Sequence, residues 1–204
     1  MSWPQRFARF VTQVVVRVPW LWRVFRPVLT RTFDRLAPTW DERSVDQIRL
    51  GAIQLAFDAI EDPPGTVLDL GTGTGSVARR AAERWPDAEI TGADVSPGMV
   101  EQARRRATGP RQRYDVADAS RLPYPDGAFE LVALNNMIPF FDELARVTAP
   151  GGHVAIAYSR GPQTPIWVPL DRVRRELAAR KFTQFADFSA GEGRSLLARK
   201  DDRS

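Results

Sequence analysis

Along the first 36 residues apolar positions recur at helical spacing. Phe7, Phe10, Val11, Val14 and Val18 follow an i, i+3, i+4, i+7, i+11 pattern, with Arg6, Arg9, Gln13 and Arg17 on the opposite side. This predicts an amphipathic helix with a basic polar face, interrupted at Pro19. In a second helical stretch Leu21, Phe25, Val28, Leu29 and Leu36 share a face, with Trp20 and Trp22 near its start and Pro27 as a kink or a fresh start. From Pro38 the pattern changes. A helix is expected within Asp41–Ile60, burying Ile48, Ile53, Leu55, Ala56 and Ile60, and the breaker Asp62-Pro63-Pro64-Gly65 ends it. Short apolar runs then alternate with helical ones. Strands are expected near 66–70, 88–93, 112–116, 129–134, 152–158, 183–188 and 194–199, and helices near 76–85, 97–107, 142–148 and 169–181. Such alternation implies βαβ units, an α/β fold with a doubly wound, mostly parallel sheet covered on both faces. The short loop Ala190-Gly191-Glu192-Gly193 makes the last strand antiparallel. The chain therefore divides into a helical extension, residues 1–37, and an α/β domain, residues 38–204.

Composition narrows the chemistry. The chain of 204 residues has no cysteine, which excludes a disulfide scaffold, a thiolate zinc site, an iron–sulfur cluster and a cysteine nucleophile. A single histidine, His153, excludes a multi-histidine metal centre, and no metal is expected. His153 follows Pro150-Gly151-Gly152 at the expected start of a strand, the end remote from a strand-end site, so its expected role is structural. The net charge of +4 is localised: six of the 29 Lys and Arg precede residue 34, where no acidic residue occurs, leaving 23 against 25 acidic residues in the remainder. The near-neutral body gives no basic surface for a nucleic acid.

The basic head allows two readings. Arg17, Pro19, Arg23 and Arg26 break every apolar run well short of the ~18–20 residues of a membrane span. A cleavable signal is also not expected, because no small-x-small site follows the apolar stretch. The head is either a lid packed on the body, or an interfacial helix with Trp and Phe in the acyl boundary and Arg on anionic headgroups. The expected location is cytoplasmic, with peripheral contact on the inner membrane face under the second reading.

Candidate chemistry gathers at the strand ends, where a doubly wound sheet binds its ligand. Val67-Leu68-Asp69-Leu70 runs into Gly71-Thr72-Gly73-Thr74-Gly75, and Ser76 opens a helix. Alternate glycines allow a tight turn and close approach of a ligand to the backbone, and the helix N-terminus favours an anionic group. The spacing differs from a dinucleotide fingerprint, since Ser76 stands where a third glycine is wanted. Asp69 is expected to lie beside the ligand and to suit a cation better than a pyrophosphate. At the second strand end, Asp94 is suited to a ribose diol; Ser96-Pro97 already caps the next helix and leaves Asp94 spare.

With these motifs together the chain resembles the class I S-adenosylmethionine-dependent methyltransferases of the small-molecule type, from about Thr66 to the C-terminus. The resemblance implies a sheet order of 3-2-1-4-5-7-6 and S-adenosyl-L-methionine as cofactor. It implies that Asp69, Gly71, Thr72, Gly73 and Gly75 hold the methionine part and that Asp94 holds the ribose. Val95 and Met99 would lie against the adenine. Asp118, within Asp115-Val116-Ala117-Asp118-Ala119, would bind the adenine amino group, and Ala119 would offer a backbone N–H. Leu122–Val132, Leu144-Ala145-Arg146-Val147 and Pro150-Gly151-Gly152 match the family's links into the fourth and fifth strands.

The match departs after strand four, where Asn135-Asn136-Met137-Ile138-Pro139-Phe140-Phe141 leads almost directly to Asp142. Relatives usually carry a longer, pocket-lining segment there. Asn135 is expected to meet the methionine amino group, and Phe140 and Phe141 to be core. Tyr124, Asn136 and Tyr158 are candidate pocket polar groups without a named base, so no catalytic residue is assigned. The function implied is methyl transfer to a small or lipophilic acceptor, with release of S-adenosylhomocysteine. The alternatives are a membrane-associated cofactor-binding or regulatory module without turnover, and an NAD-dependent oxidoreductase.

Overall fold

The computed structural model describes residues 3–40 and 46–202, and the side chains of 5–40 and 50–202. Strands β1 (Thr66–Leu70), β2 (Glu89–Asp94), β3 (Gln112–Val116), β4 (Phe129–Asn135), β5 (Thr148–Tyr158), β6 (Phe182–Ala190) and β7 (Gly193–Lys200) form one sheet in the order β3-β2-β1-β4-β5-β7-β6. β7 pairs antiparallel with β5 and β6, while the pairs from β3 to β5 are parallel. Ala190 pairs directly with Gly193, so Gly191 and Glu192 make a two-residue hairpin loop, and Gly191 has a φ of 57° as such turns require. β5 begins at Thr148, four residues before the expected start, because Thr148 pairs with Phe129 across a register shift.

The helices are α1 (Trp3–Arg17), α2 (Trp22–Leu36), α3 (Asp46–Asp58), α4 (Ser76–Arg84), α5 (Pro97–Arg105), α6 (Phe141–Val147) and α7 (Leu170–Ala178). The expected start of α3 at Asp41 and the side chain of Ile48 lie outside the described residues. Leu55, expected in the core, is 39% exposed, whereas Ile53, Ala56 and Ile60 are buried. Strand side chains alternate between two cores. Leu68, Leu70, Val132 and Ile156 pack beneath α6, α7 and the head; Val67, Ile90, Leu131 and Ala133 pack against Ile53 and Phe57 of α3 and the inner sides of α4 and α5. Strand order reverses between β1 and β4, and this opens the crevice at their carboxyl ends.

The head covers that crevice, but with a different face from the one its apolar pattern predicts. On α1 the buried positions are Val11, Thr12, Val15 and Val16, while Phe10 is 57% exposed. Arg9, expected outside, is half-buried and donates to the carbonyls of Pro162 (2.5 Å) and Thr164 (3.0 Å). The body supplies acceptors there for a guanidinium, so a long cationic side chain packs its stem inward and a phenyl ring turns out. On α2 the inward series is Trp22, Phe25, Leu29, Phe33 and Leu36; Val28 is 55% exposed. α2 runs continuously through Pro27.

Candidate functional site

β1 ends in a loop whose three glycines, Gly71, Gly73 and Gly75, all have positive φ (73°, 55° and 87°). The loop is tied to β2: the N–H groups of Gly71 and Thr72 both donate to the carbonyl of Ala93, at 2.8 and 3.0 Å. A Cβ at Gly71 would lie 2.7 Å from Met137 Sδ, whereas one at Gly73 would meet nothing closer than Trp40 Nε1 at 4.0 Å. The first glycine thus permits close packing and the second leaves the loop open to a ligand. Asp94 ends β2, its Oδ2 accepting from the N–H of Gly73 (3.0 Å) and its Oδ1 from that of Ser96 (2.9 Å). Each oxygen keeps acceptor capacity. Burial raises the Asp94 pKa, opposed by the amides of Ser96, Gly73 and Val95. Ser96 caps α5 by accepting from Met99 N at 3.2 Å, so Asp94 is not needed as the cap.

A cavity of about 540 Å³ lies over these strand ends. Gly71, Thr72, Gly73 and Asp94 line one side, and Val95, Met99, Ala119 and Asn135 continue the wall. Asn135 Oδ1 is buried and has no hydrogen-bond partner among the described residues. A buried acceptor left unpaired costs about 1–3 kcal/mol, which marks it as a place for a donor.

The remaining three expected positions sit elsewhere. Asp69 is 1% exposed and does not line the cavity; it accepts from Thr72 Oγ1 (2.6 Å) and the N–H of Ala78 (2.9 Å), bracing the loop against α4. Burial pushes its pKa up to about 7, against the lowering effect of those two donors. Gly75 faces Tyr114 and Ala103 rather than the cavity. Asp118 is absent from the lining because its carboxylate is engaged by the head: Trp22 Nε1 donates at 2.8 Å and Arg26 at 2.5 Å, with the N–H and hydroxyl of Ser120 also donating. Burial would raise the Asp118 pKa, but these donors together hold it below its ordinary value.

The head forms the roof. Trp22, 5% exposed, packs edge-on to Phe140 at 5.6 Å, and Val11, Leu29 and Phe33 also face the cavity. Asp34 of α2 accepts from Ser96 Oγ (2.5 Å) and Gly98 N (3.1 Å), fixing the far end of α2 to the start of α5. The roof is therefore largely apolar where the floor is polar.

Comparison with known proteins places this architecture. The family described as methyltransferase domain matches residues 67–152. A malonyl-[acyl-carrier protein] O-methyltransferase of Halorhodospira halophila is 38% identical over 148 residues, covering 68% of this chain and 50% of the relative. The chain carries a class I, Rossmann-like methyltransferase domain. A demethylmenaquinone methyltransferase of Thermus thermophilus is 40% identical over 126 residues, covering 57% of this chain and 52% of the relative. The chain thus spans about half the length of these curated relatives. A SAM-dependent methyltransferase structure from Aquifex aeolicus superposes with a TM-score of 0.66 at 19% identity, covering 79% of this chain and 97% of that one.

In this methyltransferase domain the segment after Asn135 is short, and its Met137 and Ile138 reach the cavity. Asn136 takes a φ of 56° and is bonded to Ser159 through both amide atoms; both residues line the cavity. Tyr124 lies outside it and donates to Asp115 Oδ2 at 3.0 Å; Tyr158 is fully buried against Trp167. Phe140 and Phe141 are core residues. His153 lies mid-strand, away from the cavity; burial and then the charge of Arg199 lower its pKa. The lining residues without a signal in the sequence include Phe33, Trp40 and the 164–166 loop, none of which carries a local motif.

Proposed function

We propose that the chain transfers the methyl group of S-adenosylmethionine to a small lipophilic acceptor and releases S-adenosylhomocysteine. The observation that carries this reading is the cavity floor, where an open glycine loop, the Asp94 carboxylate and the unpartnered Asn135 Oδ1 stand at three strand ends around one space. These groups fit an amino acid joined to a nucleoside. Asp94 has acceptor capacity for a ribose diol, Asn135 Oδ1 would accept from the ammonium group, and the start of α4 favours the carboxylate. Val95, Met99 and Ala119 offer a purine a largely apolar slot. The bound cofactor supplies a methyl group already activated on a sulfonium. What the protein adds is orientation and exclusion of water beneath the head. The apolar roof suits a lipophilic acceptor, in keeping with a relative named as a demethylmenaquinone methyltransferase.

Calorimetric titration of the intact protein with S-adenosylhomocysteine, with NAD as control, tests the assignment. Wild type is expected to bind, and Asp94→Ala to lose about 2 kcal/mol, roughly 30-fold in affinity, for the lost charge-assisted bonds. Tighter binding of NAD would instead revive the oxidoreductase reading. Incubation with S-adenosylmethionine and a lipid extract is then expected to yield a product heavier by one methylene; binding without any such product would favour a cofactor-binding module.

A further inference from the structure

The head has an outer face that the cavity does not use. Among the described residues, four of the six exposed large hydrophobic side chains belong to it: Phe10, Trp20, Val24 and Val28. On α2, Val24, Val28, Arg31 and Arg35 follow an i, i+4, i+7, i+11 spacing, so apolar and cationic groups share one side, and the exposed Trp20 stands in the 3-10 turn Pro19–Leu21 just before the helix. Arg17 ends α1, and Arg23 lies in the first turn of α2. All four arginines are exposed, and none forms an ion pair among the described residues. The one acidic residue of α1 and α2, Asp34, turns inward to Ser96 and Gly98. No helix among the described residues is long and apolar enough to cross a membrane.

We propose that this outer face docks on an anionic lipid bilayer, with Trp20, Val24 and Val28 entering the headgroup boundary and Arg17, Arg23, Arg31 and Arg35 on headgroup phosphates. The charge is of one sign and interleaved with apolar side chains, and a bilayer surface satisfies both at once. A nucleic acid would take the arginines but would leave Val24 and Val28 in water. The inner and outer faces of the head then have separate tasks, one roofing the cavity and the other holding it beside a lipid phase. The surface stands on its own geometry and does not depend on what the cavity binds.

The test is sedimentation of the intact protein with vesicles of phosphatidylcholine alone and of phosphatidylcholine mixed with phosphatidylglycerol. Binding to the anionic vesicles is expected to be at least about tenfold tighter and to weaken with salt. Val24→Ser with Val28→Ser, and separately Arg23→Glu with Arg31→Glu, should each lower it by at least about tenfold. Melting temperature and S-adenosylhomocysteine affinity should stay at wild-type values, so that loss of binding is not loss of fold. Equal binding to both vesicle types, or none, overturns the proposal. So does loss with the arginine pair but not the valine pair, accompanied by equally tight binding of a single-stranded RNA; that pattern describes a general polyanion surface. Failure of wild type to bind S-adenosylhomocysteine would overturn the methyltransferase reading and leave this one standing.

Discussion

The floor and the roof of the cavity are built by different means. The floor is held by bonds between neighbours in the sheet: Gly71 and Thr72 on Ala93, Gly73 on Asp94, Thr72 and Ala78 on Asp69. The roof is held by a few side chains reaching across 62 to 155 residues, with Trp22 and Arg26 on Asp118, Asp34 on Ser96 and Arg9 on the carbonyls of Pro162 and Thr164. A floor of this kind forms whenever the sheet forms. A roof of this kind is able to loosen while the sheet stays intact. The two carboxylates differ accordingly: Asp69 is desolvated beneath the loop and its pKa is raised, whereas Asp118 is surrounded by donors and its pKa is lowered.

The largest effect is expected from Trp22→Ala, which removes a buried aromatic anchor and a hydrogen bond and should cost the roof about 4 kcal/mol. Hydrogen exchange is expected to show α1 and α2 losing protection while β1, β4 and β5 keep theirs. Equal loss in both would mean that floor and roof unfold as one unit, and the contrast would fail. Gly92→Ala acts on the floor. Its Cβ would lie 2.5 Å from Tyr114 Cδ1 and 2.8 Å from Thr72 Oγ1, inside a packed strand pair. About 2 kcal/mol of global destabilisation is expected in denaturant melts, with no selective loss in the head.

Acidity separates the two carboxylates. With its pKa raised to about 7, Asp69 binds a proton more readily in the folded state than in the unfolded chain. Its contribution to stability is complete below the ordinary carboxylate range and is lost as pH rises through about 7. Asp69→Asn should flatten this part of the stability profile, whose slope for one proton is at most ~1.4 kcal/mol per pH unit. Asp118 has the opposite sign: its contribution is present above the ordinary carboxylate range and is lost as pH falls below it, so acid should loosen the roof first. The smallest effect is expected from Arg26→Ala. The Arg26 side chain is 44% exposed, so screening limits its ion pair to under about 1 kcal/mol, detectable as faster exchange in α2 alone.

The contrast also explains what was legible beforehand. Strand and helix placement followed from periodicity, the open loop from its glycines, and the spare carboxylate of Asp94 from the Ser96-Pro97 cap, because each rests on dihedral preferences and bonds within a few residues. Asp94 and Asn135 were found where strand ends lead. Asp69 was expected beside a ligand, yet it is turned into the loop it braces, since Thr72 Oγ1 and the N–H of Ala78 offer a buried carboxylate two donors at once. Asp118 was expected to bind the adenine amino group of the cofactor, but its carboxylate is held by a tryptophan and an arginine from the first helices.

The sequence by itself determined the order of the elements, the sheet topology through its resemblance, the glycine loop and the charge asymmetry between head and body. Only the tertiary structure decided which side of each head helix faces inward, with Arg9 in and Phe10 out, and which carboxylate meets the cavity. Helical periodicity defines a face, but its occupant is chosen by distant groups: the carbonyls of Pro162 and Thr164 and the Asp118 carboxylate had to be brought into reach before a buried guanidinium or indole N–H could be satisfied.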